Sequence, residues 1–579
     1  MRRLTHTVWF VLVILFATTA LPSARAQNAR FGKNKVNWEV LNWYYLKTEH
    51  FDIYHPREHY EIAEFAATAA EDALQEIQQH WKYTLEGRIT IIVYPNHNTF
   101  QNTNVSGSSP GESTGGFTEF LKNRVVIPFE GSYENFRHVI HHELTHAVML
   151  RMLYGEGVQS IISGISRLPL PLWYIEGLAE WESRGGWTNE ADMYLRDAVV
   201  NDYLPPLQQL SGYFYYKGGQ SLQWYLAERY GRQKVGEFLR EIRKMRDVNR
   251  AIKTSLGYDL EELSKRWQKW LNSKIWPHST EFEEPEEFSL RLTDHEEWYN
   301  FVNTSPALSP KGDRLVMLSD KDDYVSIYLL NTVTGEIQEK LVTGGRIYLF
   351  EKLLWLRPWL TWSPDGEEIA FVSEKGGEDV LYTLNVDDAR ITREFSFGID
   401  AVASPTWSPD GSRIVFSGQH AGKTDLFALD LQSGETTLLT DDLYSDYDPD
   451  WSSDGSKLLF VSDRGDQLNP GNEGDVSMWE HPYRQIDVYT YDFDTERITR
   501  LTNDIYEDRT PTWTPRDDVI SFISDRNGAY NIYMMDLETS ESWASTNVLT
   551  GVFTPSWSDA GTVAFTSFFK AGYDIYLYK

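Results

Sequence analysis

Five residues, His142-Glu143-Leu144-Thr145-His146, carry the clearest chemical signal in the chain. They sit in His138–Met152, a run that reads as one helix. Residues four apart share a helix face, so both imidazoles can close on one ion, and imidazole nitrogens suit Zn²⁺ at about 2.0–2.1 Å. Glu143 is turned about 100° from His142. That places it beside an open coordination position, as general base for a zinc-activated water. The pattern predicts one Zn²⁺ ion and hydrolytic chemistry.

Two histidines leave a ligand to be found, and Leu172–Trp181 supplies a candidate. Glu176 and Glu180 are again four apart, so two carboxylates share one helical face. Exposed, such a pair repels by a few tenths of a kcal/mol. It makes sense if Glu176 is the third ligand and Glu180, beside the site, accepts an N–H from His142. Two other signals are set aside. Gly107-Ser108-Ser109-Pro110-Gly111 matches the serine-hydrolase pattern, but a nucleophile elbow needs a strand before it and a helix after it, and here both flanks are polar loop. His50, His55, His59 and His97 have no partner at metal-ligand spacing and read as ordinary histidines.

His142–His146, followed by Trp173…Glu176-Gly177…Ala179-Glu180, resembles the gluzincin metallopeptidases of the peptidase MA-like superfamily. The resemblance implies a zincin-like domain with Glu176 as third zinc ligand and Glu143 as general base. Tyr215-Tyr216-Lys217-Gly218 is similar to the Y-x-K-G segment of the aminopeptidase branch, which implies Tyr215 as the oxyanion-stabilising tyrosine. The chain departs from that pattern in a longer interval between His146 and Glu176, and in having no G-x-M-E-N motif for a substrate amino terminus.

The elements that must hold these residues can be followed along the chain. Glu49–His55 alternates as a strand, Tyr60–Tyr83 is a long amphipathic helix, and Arg88–Tyr94 is a buried strand. Phe117–Phe129 reads as strand, turn, strand, and such an edge can receive an extended peptide. Tyr154–Pro171, with three glycines and two prolines, reads as a loop or hairpin insertion. From Gly218 to Trp276 the pattern is helical, and Pro277–Glu287, with five glutamates, reads as a linker.

The remainder is periodic. Leu308, Trp362, Trp407, Trp451, Trp513 and Trp557 begin equivalent segments at intervals of 54, 45, 44, 62 and 44 residues, each followed by short apolar strands. Repeats of about 40–50 residues built of short strands indicate propeller blades. Six anchors predict six blades. Trp-Ser-Pro-Asp-Gly at 362–366 and 407–411 is similar to TolB-type propeller repeats. The last blade is one strand short, and Phe288–Asp294 is expected to fill it and close the ring. The insertion at Asp466–Pro482 is acidic but lacks calcium-ligand spacing.

The expected fold is therefore multidomain: an α+β zincin-like metallopeptidase domain at 27–276, helical over 204–276, a linker at 277–287, and an all-β six-bladed propeller at 288–579. Arg2 and Arg3, the apolar run Val8–Leu21 and Ala24-Arg25-Ala26 describe a signal peptide over 1–26, cleaved before Gln27. The expected location is periplasmic or extracellular, with no membrane span after cleavage. A net charge of −31 argues against a nucleic-acid partner, and the absence of cysteine removes disulfides and thiol chemistry. The expected activity is zinc-dependent hydrolysis of a peptide or protein substrate, with the propeller binding a protein partner or gating access. The alternatives are an envelope scaffold with a non-catalytic metallopeptidase-like domain, and a zinc hydrolase acting on something other than peptide.

Overall fold

The computed structural model describes residues 41–103, 110–119, 122–155, 157–322, 324–345, 350, 352–355, 360–469, 477–481 and 483–578. The expected signal segment lies outside the described residues, as do parts of the serine-containing loop and of the acidic insertion.

The first sheet contains β1 (Trp43–Lys47), β2 (Phe51–Pro56), β3 (Ile89–Tyr94), β4 (Phe117–Glu119) and β5 (Arg124–Pro128), in the order β1-β2-β3-β5-β4. β2, β3 and β5 run parallel, and the two edge strands run antiparallel to their neighbours. Parallel neighbours need a crossover. Helix α1 (Tyr60–Trp81) supplies it between β2 and β3, burying Ile62, Phe65, Ala66, Ala70, Leu74, Ile77 and Trp81 along one stripe. Its alanines let α2 (Tyr133–Tyr154) pack close. The hydroxyl of Ser132 caps α2 by accepting from the Asn135 amide at 3.3 Å. Tyr133, Phe136, Ile140, Leu144, Ala147 and Val148 fix α2 in the core.

Tyr154–Pro171 is not a loop or hairpin. It contains a helix, α3 (Val158–Arg167). Its glycines mark edges and a packing notch: Gly157 enters at φ 90°, and a Cβ on Gly164 would stand 2.5 Å from the Tyr154 ring. Helices α4 (Leu172–Arg184), α5 (Asn189–Val200) and α6 (Lys217–Tyr230) follow, then α7 (Gln233–Met245), α8 (Val248–Leu256) and α9 (Leu260–Ser279). The linker is shorter than expected. α9 runs on through Pro277 to Ser279, and Pro285–Phe288 forms one more turn.

The second half is six four-stranded antiparallel sheets. Trp362 donates its indole N–H to the Ala307 carbonyl of the preceding blade at 2.8 Å. Leu290–Arg291 pairs with the chain's last strand, Tyr576 opposite Arg291, and completes the sixth blade. The ring is closed by the segment that opens it.

The two halves meet over polar contacts. Gln419 donates to the Pro95 and Phe129 carbonyls at 2.8 and 3.2 Å. Thr424, Ser445 and Tyr447 all donate to the Gly131 carbonyl, at 3.2, 2.9 and 2.7 Å, immediately before α2. On α5, Asp197 accepts the Lys570 and Ala571 amides, and the Tyr194 hydroxyl lies 2.7 Å from that of Tyr573.

Candidate metal centre

α2 and α4 bring the three expected ligands together. His142 Nε2 and His146 Nε2 are 3.1 Å apart, and Glu176 Oε2 lies 3.4 and 3.2 Å from them. Ligands on a tetrahedral ion at 2.0–2.1 Å stand about 3.3–3.4 Å apart. The triangle has that size. His142 Nδ1 lies 3.1 Å from Glu180 Oε1, a carboxylate placed to orient the ring. Two imidazole nitrogens and one carboxylate oxygen converging on one point are donor types that zinc takes. The donor set thus fits zinc.

The electrostatics agree. Burial pushes the His142 imidazolium down, but Glu176 and Glu180 outweigh it and raise the pKa to about 10. Burial pushes Glu176 up, yet His142 and His146 hold it down at about 2. The cavity is negative and takes up positive charge. His138, 3.6 Å from Glu180, is driven well below its usual range by burial and stays neutral.

Glu143 is buried beside the triangle. The Thr118 hydroxyl is 2.7 Å from Glu143 Oε2 and 2.9 Å from the Glu143 carbonyl. Thr118 belongs to β4, the edge of the sheet. Glu180 has a second partner, Lys217 Nζ at 2.9 Å, and Lys217 also reaches Glu190 Oε2 at 3.1 Å. Burial opposes the Lys217 charge, but Glu180 and Glu190 raise its pKa.

The expected tyrosine, Tyr215, has a neighbour beside the ligands. Tyr215 packs against the hydrophobic core, while the Tyr216 ring stacks on His142 with centroids 6.2 Å apart and planes 24° from parallel. Burial, then the charges of Glu176, Glu143 and Glu180, push the Tyr216 phenol up. Adjacent residues entering a helix point about 100° apart. With Lys217 turned to Glu180, it is Tyr216 that faces the ligands.

Residues 69–273 match the Peptidase MA superfamily and residues 361–469 match the TolB beta propeller domain. The chain joins a Peptidase MA superfamily domain to a TolB-like six-bladed propeller. Several solved structures share low identity with it. Putative TolB from Agrobacterium tumefaciens is 20% identical, over 48% of this chain and 90% of that one, with a TM-score of 0.34. TolB from Acinetobacter baumannii is 17% identical, over 52% and 77%, with a TM-score of 0.36. The propeller domain of the Trilobed protease from Pyrococcus furiosus is 14% identical, over 48% and 79%, with a TM-score of 0.34. No curated protein matches.

Within the Peptidase MA superfamily domain, the helix carrying Glu176 and Glu180 is held by α6, which it crosses at Gly177 and Gly219. The four histidines set aside lie outside the triangle: His50, His59 and His97 are beside Glu71, Asp400 and Glu130 at 2.7, 3.2 and 2.8 Å, and His55 Nδ1 is 2.7 Å from the Pro56 carbonyl. Sequence reasoning missed Thr118, which carries no motif, and the role of Lys217, which stood in the quoted Tyr-Tyr-Lys-Gly segment. Glu190, on α5, also gave no signal by spacing.

Proposed function

We propose that the protein is an exported zinc-dependent metallopeptidase. The observation that carries this reading is the triangle of His142 Nε2, His146 Nε2 and Glu176 Oε2, with Glu143 beside it. A bound zinc would supply Lewis acidity at that point, polarising an oxygen and lowering the pKa of a water to about 7. Glu143 accepts the water's proton and returns it to the leaving amine. Thr118 donates to Glu143 Oε2 and so fixes the carboxylate's orientation. Tyr216 takes the role expected of Tyr215: its phenol, kept protonated, donates to the oxyanion. Glu180 holds His142 in one tautomer, and Lys217 keeps Glu180 ionised.

A peptide substrate is supported by β4, which ends the sheet among the described residues, an edge of the kind that pairs with an extended chain. The propeller serves partner binding or access gating. Supporting that, it grips Gly131 at the foot of α2 and Asp197 on α5, the helix that also bears Glu190. Export to the envelope is supported by the Arg2-Arg3 start, the apolar run and the TolB-like propeller. No helix among the described residues is long and apolar enough to cross a membrane.

Metal analysis tests the ligand set. Wild type should hold one zinc per chain and His146→Ala none. Equal zinc in both would contradict the assignment.

A further inference from the structure

The propeller repeats supply their own control for a second site. In four blades an amide early in the third strand donates to a threonine hydroxyl from the fourth strand's end: Leu426 to Thr440, Val488 to Thr502, Ile532 to Thr546 and Ile575 to Thr293, at 2.9–3.0 Å. The residue just before that amide is Asp425, Asp487, Asn531 or Asp574. Two positions before the threonine stand Leu438, Arg500, Ala544 and Arg291 in the same blade order. Arg500 meets Asp487 at 2.5 Å and Arg291 meets Asp574 at 2.6 Å. Where the acid is asparagine, the arginine is alanine. Among these four blades, the third alone keeps the acid and lacks the cation: Leu438 is 40% exposed and Asp425 is buried.

The deficit falls on a crowded place. Asp425, Asp442 and Asp446 are buried, and one carboxylate oxygen of each lies within 4.8 Å of the other two. Arg464 is the guanidinium here, spanning Asp442 at 3.0 Å and Asp446 at 2.6 Å. The next seam has two for its three equivalent acids, Arg500 on Asp487 and Arg526 on Asp504 and Asp508. Asp446 is fully buried, and its Oδ1, like that of its counterpart Asp508, has no hydrogen-bond partner. A buried carboxylate oxygen left so is costly.

We propose that the seam between the third and fourth blades binds a hard divalent cation of the Ca²⁺ class through Asp425, Asp442 and Asp446. Ca²⁺ takes oxygen ligands at 2.3–2.6 Å, so two of its ligands stand up to about 5 Å apart, which suits this cluster. The ion does the work of the missing arginine. It also stiffens the grip on the other domain, because Thr424 and Ser445, next to Asp425 and Asp446, both donate to the Gly131 carbonyl. The site stands apart from the metal triangle of α2 and α4 and does not depend on the peptidase reading.

The test uses the full chain in buffer with fixed zinc, titrated with Ca²⁺ and, separately, Mg²⁺. At a hundredfold excess over Kd the wild-type Tm should rise by roughly 3–5 °C, with one Ca²⁺ retained per chain by equilibrium dialysis. Leu438→Arg, at an exposed position, should raise the Tm without Ca²⁺ and abolish the shift, and Asp425→Asn should abolish it too. If Asp425→Asn does not fold, Leu438→Arg decides alone. Equal Ca²⁺ shifts in wild type and Leu438→Arg, or no Ca²⁺ retained because Asp425 shares a proton with Asp446 instead, overturns the proposal. An equal shift with Mg²⁺ overturns the choice of ion class.

Discussion

Gly177 and Gly219 meet backbone to backbone: a Cβ on Gly219 would stand 2.0 Å from the Trp173 carbonyl oxygen, and one on Gly177 would stand 2.2 Å from the Gly219 carbonyl carbon. This crossing sets α4 against α6, and with it Glu176 and Glu180 against Tyr216 and Lys217. Gly177→Ala should therefore push the helices apart. The expected cost is about 3 kcal/mol of stability, read as a lowered Tm, together with loss of zinc from a fold that still shows the propeller's β signal. An unchanged Tm with full zinc content would mean that the helices can slide.

Thr118 touches Glu143 and no proposed ligand, so it should matter to the base and not to the metal. Thr118→Val is expected to lower kcat about 10–100-fold with zinc content unchanged. Thr118→Ser, which keeps the hydroxyl, should restore most of the rate. Loss of zinc in Thr118→Val would assign the residue to the fold instead.

The two neighbouring tyrosines separate the family expectation from the observed geometry. Tyr216→Phe should cost about 10²–10³ in kcat, the usual effect of removing one oxyanion donor. Tyr215→Phe, in the core packing, should change kcat less than about threefold. Steady-state kinetics on both variants decides, and the reverse order would restore the role to Tyr215.

His80 gives a pH signature away from the centre. Its Nδ1 lies 2.7 Å from Glu182 Oε2, and that bond, partly offset by burial, raises its pKa above 6.5. A raised folded pKa means the native state binds the proton more tightly. The stabilisation is complete below about pH 6.5 and is lost as pH rises through the folded value. The Tm gap between wild type and His80→Ala should therefore narrow from pH 6 to about pH 9. A constant gap would show that the bond owes nothing to charge.

Much of this was legible because the chemistry is short-range. The i, i+4 pairs on two helices named His142, His146, Glu176 and Glu180, the repeated anchors named the blades, and a last blade one strand short named Phe288–Asp294 as the closing strand. What was not legible depends on contacts across the chain. Thr118 reaches Glu143 from the sheet edge, 25 residues away. Tyr215 and Tyr216 differ only by a rotation fixed once Lys217 has found Glu180. α3 was hidden because Gly157 and Gly164 read as breakers, whereas one is a boundary and the other makes room for Tyr154. Leu438 is unremarkable until its counterparts Arg500 and Arg291 are seen on their aspartates.

The central claim is that Glu143 moves the proton at a zinc centre held by His142, His146 and Glu176. The most direct measurement is zinc content and peptide cleavage of wild type and Glu143→Gln, side by side. One zinc per chain in both, with cleavage in wild type and a loss of at least about 10²-fold in the variant, is the predicted result. Cleavage undiminished in Glu143→Gln, or a zinc-loaded wild type that cuts no peptide in a broad library, would contradict it.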